Sequence, residues 1–383
     1  MKRRNIQVFY DKTLYTLKWL RTLVVTKDIF ESYGYHVNIS GYDLPFKGME
    51  RLVKPTSDIS AIQKELLSKD YDIVFLAYHH SLPGLGSLPV SARGRLLEAL
   101  RKRCNCLIWL DTADSTGTCL FDVIPYVDRY LKKQTYKDKT LYSHTLLGDR
   151  LYNDYYIKKY GFEVPKTQER YAVVLGEENC GKLGLSWNVG LGDYVLERRN
   201  GSIFWGKRDK LKFWSPDIPR TINCHFRGTV SDGVSGFQRK KTLETLKSCK
   251  DVVVPDYSFD VDHKEYIEEL KKAQAVVSPF GYGEICIRDF ESFIYGNTLI
   301  KPDMDHVDTY PNWYIKDETY ISVDWDFSKM EGLLSWLKTS GGKKTCRSIA
   351  KNAQNIFIDY YNSMDRKKEF VEHMIKETET AEG

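Results

Sequence analysis

Short apolar runs alternate with longer amphipathic stretches through the first 165 residues of this 383-residue chain. Residues 6–10, 36–39, 72–78 and 106–110 read as strands, the last two apolar enough to be buried on both faces. Between them, 13–32, 59–68 and 91–104 carry helical periodicity. Such alternation predicts a right-handed, mostly parallel sheet with helices on both faces. A glycine-punctuated stretch near 165–215 reads as loops and short helices. Regular structure then resumes: strands at 221–226, 251–254 and 273–277, helices at 240–247 and 263–273, and closing helices at 328–338 and 343–376. The pattern is α/β in two halves. Functional residues in such sheets sit just past the strand C-termini. In the first half those places hold Asp11, His79, His80 and the run Asp111-Thr112-Ala113-Asp114-Ser115-Thr116-Gly117.

The densest chemistry follows the 273–277 strand. Ser278-Pro279-Phe280-Gly281-Tyr282-Gly283-Glu284 opens a turn with two glycines, and the spacing predicts a helix from about Glu284. On that helix Glu284, Arg288 and Glu291 stand at i, i+4 and i+7 and would share one face. Ile287, Phe290 and Ile294 lie on the other side, ready to pack on a sheet. A strand, a glycine turn and a charged helix suit a phosphate-bearing ligand, because helix N-termini present free N–H groups and partial positive charge. Carboxylates on that face can hydrogen-bond ribose hydroxyls. An ordinary surface helix with an internal ion pair meets the same spacing.

From Glu291 onward, Glu-Ser-Phe-Ile-Tyr-Gly-Asn-Thr-Leu-Ile resembles the nucleotide-sugar helix of GT-B glycosyltransferases, in which a glutamate is followed five residues later by a glycine and then a short apolar strand. Glu291, Gly296 and Leu299-Ile300 match that spacing, and Arg288 is similar to the arginine of the exostosin-like branch. The related retaining enzymes carry an earlier glutamate with seven residues between the two. Here Gly283 stands at that place and Glu284 one position later, which leaves retention against inversion open.

The resemblance implies two Rossmann-like doubly wound domains facing a cleft, with a C-terminal helix crossing back to the first. It places an acceptor-side domain at 1–165, an irregular inter-domain segment at 166–215, a nucleotide-sugar-binding domain at 216–345, and a final helix and tail at 346–383. Arg227-Gly228-Thr229 resembles the first loop of the family's second domain, where a glycine lets the backbone approach the diphosphate. Arg227 is the first candidate to stabilise the departing diphosphate, with Arg239 and Arg288 as helpers, since an arginine fork suits phosphate oxygens. Donor contacts are expected at Gly228, Thr229, Gly281, Tyr282, Gly283, Glu284 and Glu291. In the first half Asp111 or Asp114 would act as base or bind acceptor hydroxyls, with His79 and His80 next in rank. Capping of the following segment by Asp114 is an equally simple reading.

Composition narrows the picture only a little. A net charge of +5 fits an anionic sugar nucleotide or loose contact with an anionic membrane surface, but not dedicated nucleic-acid binding. The 26 Tyr and 8 Trp supply rings that carbohydrate-handling proteins use as platforms, though such compositions have other origins. Met1-Lys2-Arg3-Arg4 runs straight into a strand with no apolar signal core, and no run approaches a membrane span. Eight scattered cysteines lack zinc spacing and read as reduced thiols of a cytoplasmic protein. Three Asp-x-Asp triplets, at 260–262, 303–305 and 324–326, lie too late in the chain for the metal-holding triplet of the other major glycosyltransferase fold. No metal or other cofactor is expected. The sequence therefore predicts a transferase acting on a nucleotide-sugar donor and a glycan, lipid-linked or protein acceptor. The alternatives are a non-catalytic nucleotide- or glycan-binding module of the same fold, or an epimerase or phosphorylase. A dinucleotide oxidoreductase fits less well, because no early Gly-x-Gly-x-x-Gly turn is present.

Overall fold

A computed structural model describes residues 3–40, 55–164, 174–192, 211–249 and 261–382. Seven strands come from the first half: β1 Arg4–Tyr10, β2 Tyr35–Ile39, β3 Tyr71–Ala77, β4 Cys104–Asp111, β5 Arg129–Lys132, β6 Gln134–Tyr136 and β7 Leu183–Leu185. All but β6 form one parallel sheet in the order β2-β1-β3-β4-β5-β7. A second parallel sheet, β12-β10-β9-β8, is built from β8 Ile222–His225, β9 Ala273–Val277, β10 Thr298–Pro302 and β12 Tyr320–Val323. The remaining strands, β6 and β11 Val307–Thr309, pair antiparallel and tie one half to the other.

Helices cover both faces of the first sheet. Phe9, Val74, Leu76, Leu107 and Trp109 pack with Leu66 of α3 (Ile59–Leu66) and Leu97 of α4 (Val90–Arg101). Val8, Ile73, Phe75 and Ile108 pack on the opposite side with Leu20 of α1 (Leu14–Val25) and Phe30 of α2 (Lys27–Ser32). Inside that layer Trp19 and Trp187 stack with centroids 4.1 Å apart. Each indole N–H donates to the other's carbonyl at 3.2 Å, so neither buried donor is orphaned.

In the second half, α5 (Leu151–Tyr160) and α8 (Ile287–Ile294) share a core with Phe357 of α10 (Ser340–Asn362). The other face of the second sheet carries α6 (Phe237–Ser248) and α9 (Met330–Leu337), while α7 (His263–Lys272) leads into β9. The last helix, α11 (Met364–Thr380), returns to the first sheet and buries Phe370, Val371, Met374 and Ile375 there. Two guanidinium–carboxylate pairs, Arg129–Glu377 and Arg4–Glu382, hold its end. The chain is α/β with two parallel sheets, as the apolar pattern indicates.

Four local expectations change. The 13–32 helix is two helices, broken at Thr26, whose hydroxyl bonds back to the Thr22 carbonyl at 2.8 Å while its own backbone leaves helical angles. The 343–376 helix also divides, at Ser363, which is extended and caps α11 through Asp365 N at 3.2 Å. The helix expected from Glu284 begins at Ile287 instead. Asp289 accepts from the Cys286 amide at 3.2 Å and fixes that start, so Glu284 stays in the preceding turn and shares no helix face with Arg288 and Glu291. Finally, part of the stretch read as inter-domain loops is β7, at the edge of the first sheet. The expected strand at 251–254 lies outside the described residues.

The return of α11 should be a large part of the first half's stability. Phe370 touches Phe30 and Trp187 edge-to-face and is 3% exposed. Phe370→Ala is expected to cost about 3–5 kcal/mol, read as a lower urea midpoint with an unchanged slope.

Candidate functional site

The C-terminal edges of the two sheets face each other at the 278–284 turn. A Cβ at Gly283 would collide with the Asp114 carbonyl, so the turn after β9 meets the loop after β4 backbone to backbone. A Cβ at Gly281 would strike the Arg239 guanidinium, and one at Gly228 would crowd Arg288. Three glycines thus clear room for one carbonyl and two guanidinium groups. Tyr282, between two of them, is 67% exposed on the rim.

On the second-half side, Arg239 donates to the Thr229 carbonyl at 3.0 Å and Arg288 to the Arg227 carbonyl at 2.7 Å. Buried N–H donors remain on both: Nε of Arg239, and Nε and Nη1 of Arg288, have no partner among the described residues. Burial and the neighbouring Arg288 push Arg239 below the usual guanidinium value. Burial opposes the charge on Arg288 too, but Cys286, Tyr266, Glu291 and Asp289 outweigh it and raise its pKa. The Arg288 guanidinium also lies over the Phe226 ring at 5.2 Å.

Arg227 differs from this pair. Its fork is bound bidentately by Glu269, at 2.7 and 2.6 Å, and His225 Nε2 approaches the same carboxylate at 2.9 Å. The first-ranked arginine of the sequence reading is therefore already engaged, and its two expected helpers carry the unmet donors. Glu291 is 3% exposed and accepts from Tyr266 Oη at 2.7 Å. Glu284 is wholly buried and faces the first half: Thr116 N–H and Oγ–H donate to it at 3.0 and 2.5 Å. Those bonds tie the turn after β9 to the loop after β4.

On the first-half side the two aspartates separate. Asp111 accepts from Lys132 Nζ at 2.5 Å, Tyr130 Oη at 2.7 Å and Ala113 N at 2.8 Å, all buried. Burial works against its ionisation, but Lys132 and these hydrogen bonds hold its pKa below the ordinary value. Asp111 is thus the buried counter-ion of Lys132. Asp114 accepts from Tyr15 Oη at 2.5 Å and Lys133 Nζ at 3.1 Å, while 45% of its side chain stays accessible. Lys133 and Tyr15 outweigh its burial and keep its pKa low. It is an ionised carboxylate with part of its side chain open to solvent.

His79 lies against Tyr15, and His80 tilts over it at 4.2 Å. The Ser81 amide donates to His79 Nδ1 at 3.2 Å, so the neutral ring carries its proton on Nε2. Burial lowers its pKa and favours that neutral form.

Four of the five described Asp-x-Asp aspartates have a local task. Asp262 caps α7, Asp303 holds Lys316 and Ser322, Asp324 caps Ser328, and Asp326 accepts from Tyr155 and Tyr160. Asp260 lies outside the described residues. Lys301 is fully buried against Asp289 at 3.0 Å. Sequence reasoning missed Tyr15 and Lys133, and gave Thr116 no role of its own within the 111–117 run. Only Lys133 left a usable signal, as the second of two lysines at a strand's C-terminal end, and β5 is too short to have marked that place.

The two aspartates should respond differently to substitution. Asp111→Ala strands the Lys132 ammonium in the core and is expected to cost about 3–5 kcal/mol in chemical denaturation, whereas Asp114→Ala, which leaves the buried Lys133 its Tyr15 hydroxyl at 3.2 Å, should cost less. A second prediction concerns acid. Burial opposes ionisation of Glu269, but Arg227 and His225 lower its pKa from 4.5 to about 2. Its folded value lies below its unfolded one, so its contribution is complete above pH 4.5 and is lost as pH falls toward 2. Glu269→Gln should flatten the stability–pH curve across that window and lower the plateau above it.

No family model and no curated protein matches the sequence. Among solved structures, the chain is similar to an alpha-glucosyltransferase in complex with UDP and a 13-mer DNA, at 10% identity and TM-score 0.46, over 96% of this chain and 100% of that one. It is similar to TarM at 9% identity and TM-score 0.46, over 85% of this chain and 59% of that one. It is similar also to the sucrose-phosphate synthase of Thermosynechococcus elongatus, at 12% identity and TM-score 0.44, over 99% and 100%.

Proposed function

We propose that this chain is a glycosyltransferase moving a sugar from a nucleotide-sugar donor to a hydroxyl of a glycan, lipid-linked or protein acceptor. The observation that carries the reading is the Arg239–Arg288 pair. Two neighbouring guanidinium groups, withdrawn from water and holding unmet N–H donors, are stabilised best by a polyanion such as a diphosphate. They stand past the C-terminal ends of β8 and β9, where parallel sheets of this kind bind ligands.

The chemistry follows from the charges. As the bond from the sugar's anomeric carbon to the diphosphate breaks, negative charge grows on the leaving oxygen. Fixed guanidinium donors stabilise it without reorganisation. Asp114 orients the acceptor hydroxyl and takes its proton, and His79 can donate from Nε2 to a neighbouring oxygen. Glu291, held by Tyr266, is the residue the motif assigns to the ribose. Because the arginines supply positive charge at the diphosphate, the reaction calls for no divalent metal. All eight cysteines are free thiols, which suits a cytoplasmic setting. No helix among the described residues is long and apolar enough to cross a membrane.

The test is thermal shift and calorimetry with UDP, GDP, ADP, CDP and their sugars, with and without EDTA. One diphosphate class should raise the Tm in an EDTA-insensitive way. Arg288→Ala should weaken its binding at least about tenfold, the loss of one charged hydrogen bond. Asp114→Ala should keep the binding and lose transfer. A folded protein that answers to no nucleotide would sink the proposal, and nucleotide binding without turnover on any acceptor class would favour the non-catalytic module.

A further inference from the structure

We infer that Glu284 is a positioning residue, a second-half carboxylate that holds the Asp114 loop of the first half in register with the anion site. The inference rests on the transferase reading above and goes beyond it, because Glu284 touches neither donor nor acceptor in this role. Its side chain is wholly buried. Both oxygens point into the first half, Oε2 to the Thr116 amide at 3.0 Å and Oε1 to the Thr116 hydroxyl at 2.5 Å. His306 Nε2 stands 4.0 Å from Oε1 and closes the remaining side.

The turn around Glu284 arranges three contacts in four residues. Gly281 lies against Arg239, Gly283 against the Asp114 carbonyl, and Glu284 grips Thr116 two residues after Asp114. Gln134, from β6, donates to the same Asp114 carbonyl. Tyr152 of α5 donates to the Gly281 carbonyl at 3.0 Å and fixes the turn from below. The distance between the acceptor-side carboxylate and the two guanidinium groups is therefore set within this one turn. Among the described residues its recorded ion-pair contact is His306 at 4.0 Å, with Arg150 acting on it at longer range, and a buried carboxylate so placed is a costly way to join two surfaces that hydrophobic packing would hold better. What the carboxylate adds is direction, since it accepts two bonds from one residue and fixes the loop's height and rotation together.

The consequence is kinetic. A misplacement of about 1 Å in a positioning element can cost about 100-fold in rate while leaving ground-state binding intact. The experiment compares Glu284→Ala, Glu284→Gln, Thr116→Val and the Glu284→Ala/Thr116→Val double variant. Three quantities are read: the Kd for the nucleotide diphosphate, kcat per folded molecule, and amide exchange of residues 112–118. Expected are a Kd within about twofold of wild type, a kcat lower by about 100-fold, and faster exchange in that loop. Thr116→Val should reproduce the loss, and the double variant should be no worse than either single one. Glu284→Gln, which keeps one acceptor oxygen, should recover at least about tenfold over Glu284→Ala.

A Kd weakened about tenfold or more in Glu284→Ala would overturn the inference in favour of direct donor contact. Unchanged kcat with a lowered Tm would overturn it in favour of simple cohesion. If Glu284→Ala does not fold, Thr116→Val carries the test. If the wild type neither binds nucleotide nor transfers sugar, the transferase reading fails by itself. Loop exchange then decides the register role, and unchanged exchange in Glu284→Ala and Thr116→Val would end it.

Discussion

The pairing of β6 with β11 is the constraint on which the rest of the molecule depends. Three residues from each half, Gln134–Tyr136 and Val307–Thr309, form an antiparallel ribbon directly beside the cleft. Residues at its ends reach the site. Lys133, which immediately precedes β6, binds Asp114, and its carbonyl accepts from Thr309 Oγ1 at 2.8 Å. His306, just before β11, stands beside Glu284, and its carbonyl accepts from the Lys137 amide at 3.0 Å. Asn188 Nδ2 adds a bond to Thr309 Oγ1 at 3.1 Å. Main-chain pairing of this kind resists sliding, because a one-residue slip would turn every side chain on the ribbon to the wrong face. The two halves therefore meet at one register, and the cleft takes its shape from it.

Within that frame the charges fall into two groups. Lys132–Asp111, Lys301–Asp289 and Arg227–Glu269 are paired at hydrogen-bond distance, the first two fully out of solvent. Such pairs are neutral on balance and ask nothing of a ligand. Arg239 and Arg288 repel each other instead, and keep donors that no described residue meets. The contrast separates these two arginines from the paired ones. It also explains why the surface charge of +5 says so little. The decisive charge is local.

Much of this was legible in the sequence, and the failures have physical causes. The apolar runs of β1, β3, β4, β9 and β10 stand out because strands of a parallel sheet are buried on both faces. β5, β6 and β7 are short and partly polar, so the ribbon that joins the halves left no periodic signal. Gly281, Gly283, Arg288 and Glu291 were singled out from a turn, a spacing and a resemblance, and the structure sets Gly281 against Arg239 and Gly283 against the Asp114 carbonyl. The helix that was to unite Glu284 with Arg288 and Glu291 fails because Asp289 caps it three residues later, a side-chain contact that competes with periodicity and wins. Asp111 and Asp114 look alike in the chain. What separates them is Lys132, 21 positions after Asp111, a partner that only the sheet brings close.

The one-residue shift of the first glutamate now has a physical account. At Gly283 the main chain meets the Asp114 carbonyl so closely that any side chain would collide with it. A glutamate at that position is excluded unless the two halves move apart, which the ribbon opposes. One residue later the side chain emerges on the far side of the contact and finds Thr116. A carboxylate there accepts two bonds from Thr116 and ties the turn after β9 to the loop after β4. The departure from the family pattern and the tight approach of the halves are thus two consequences of the same backbone contact.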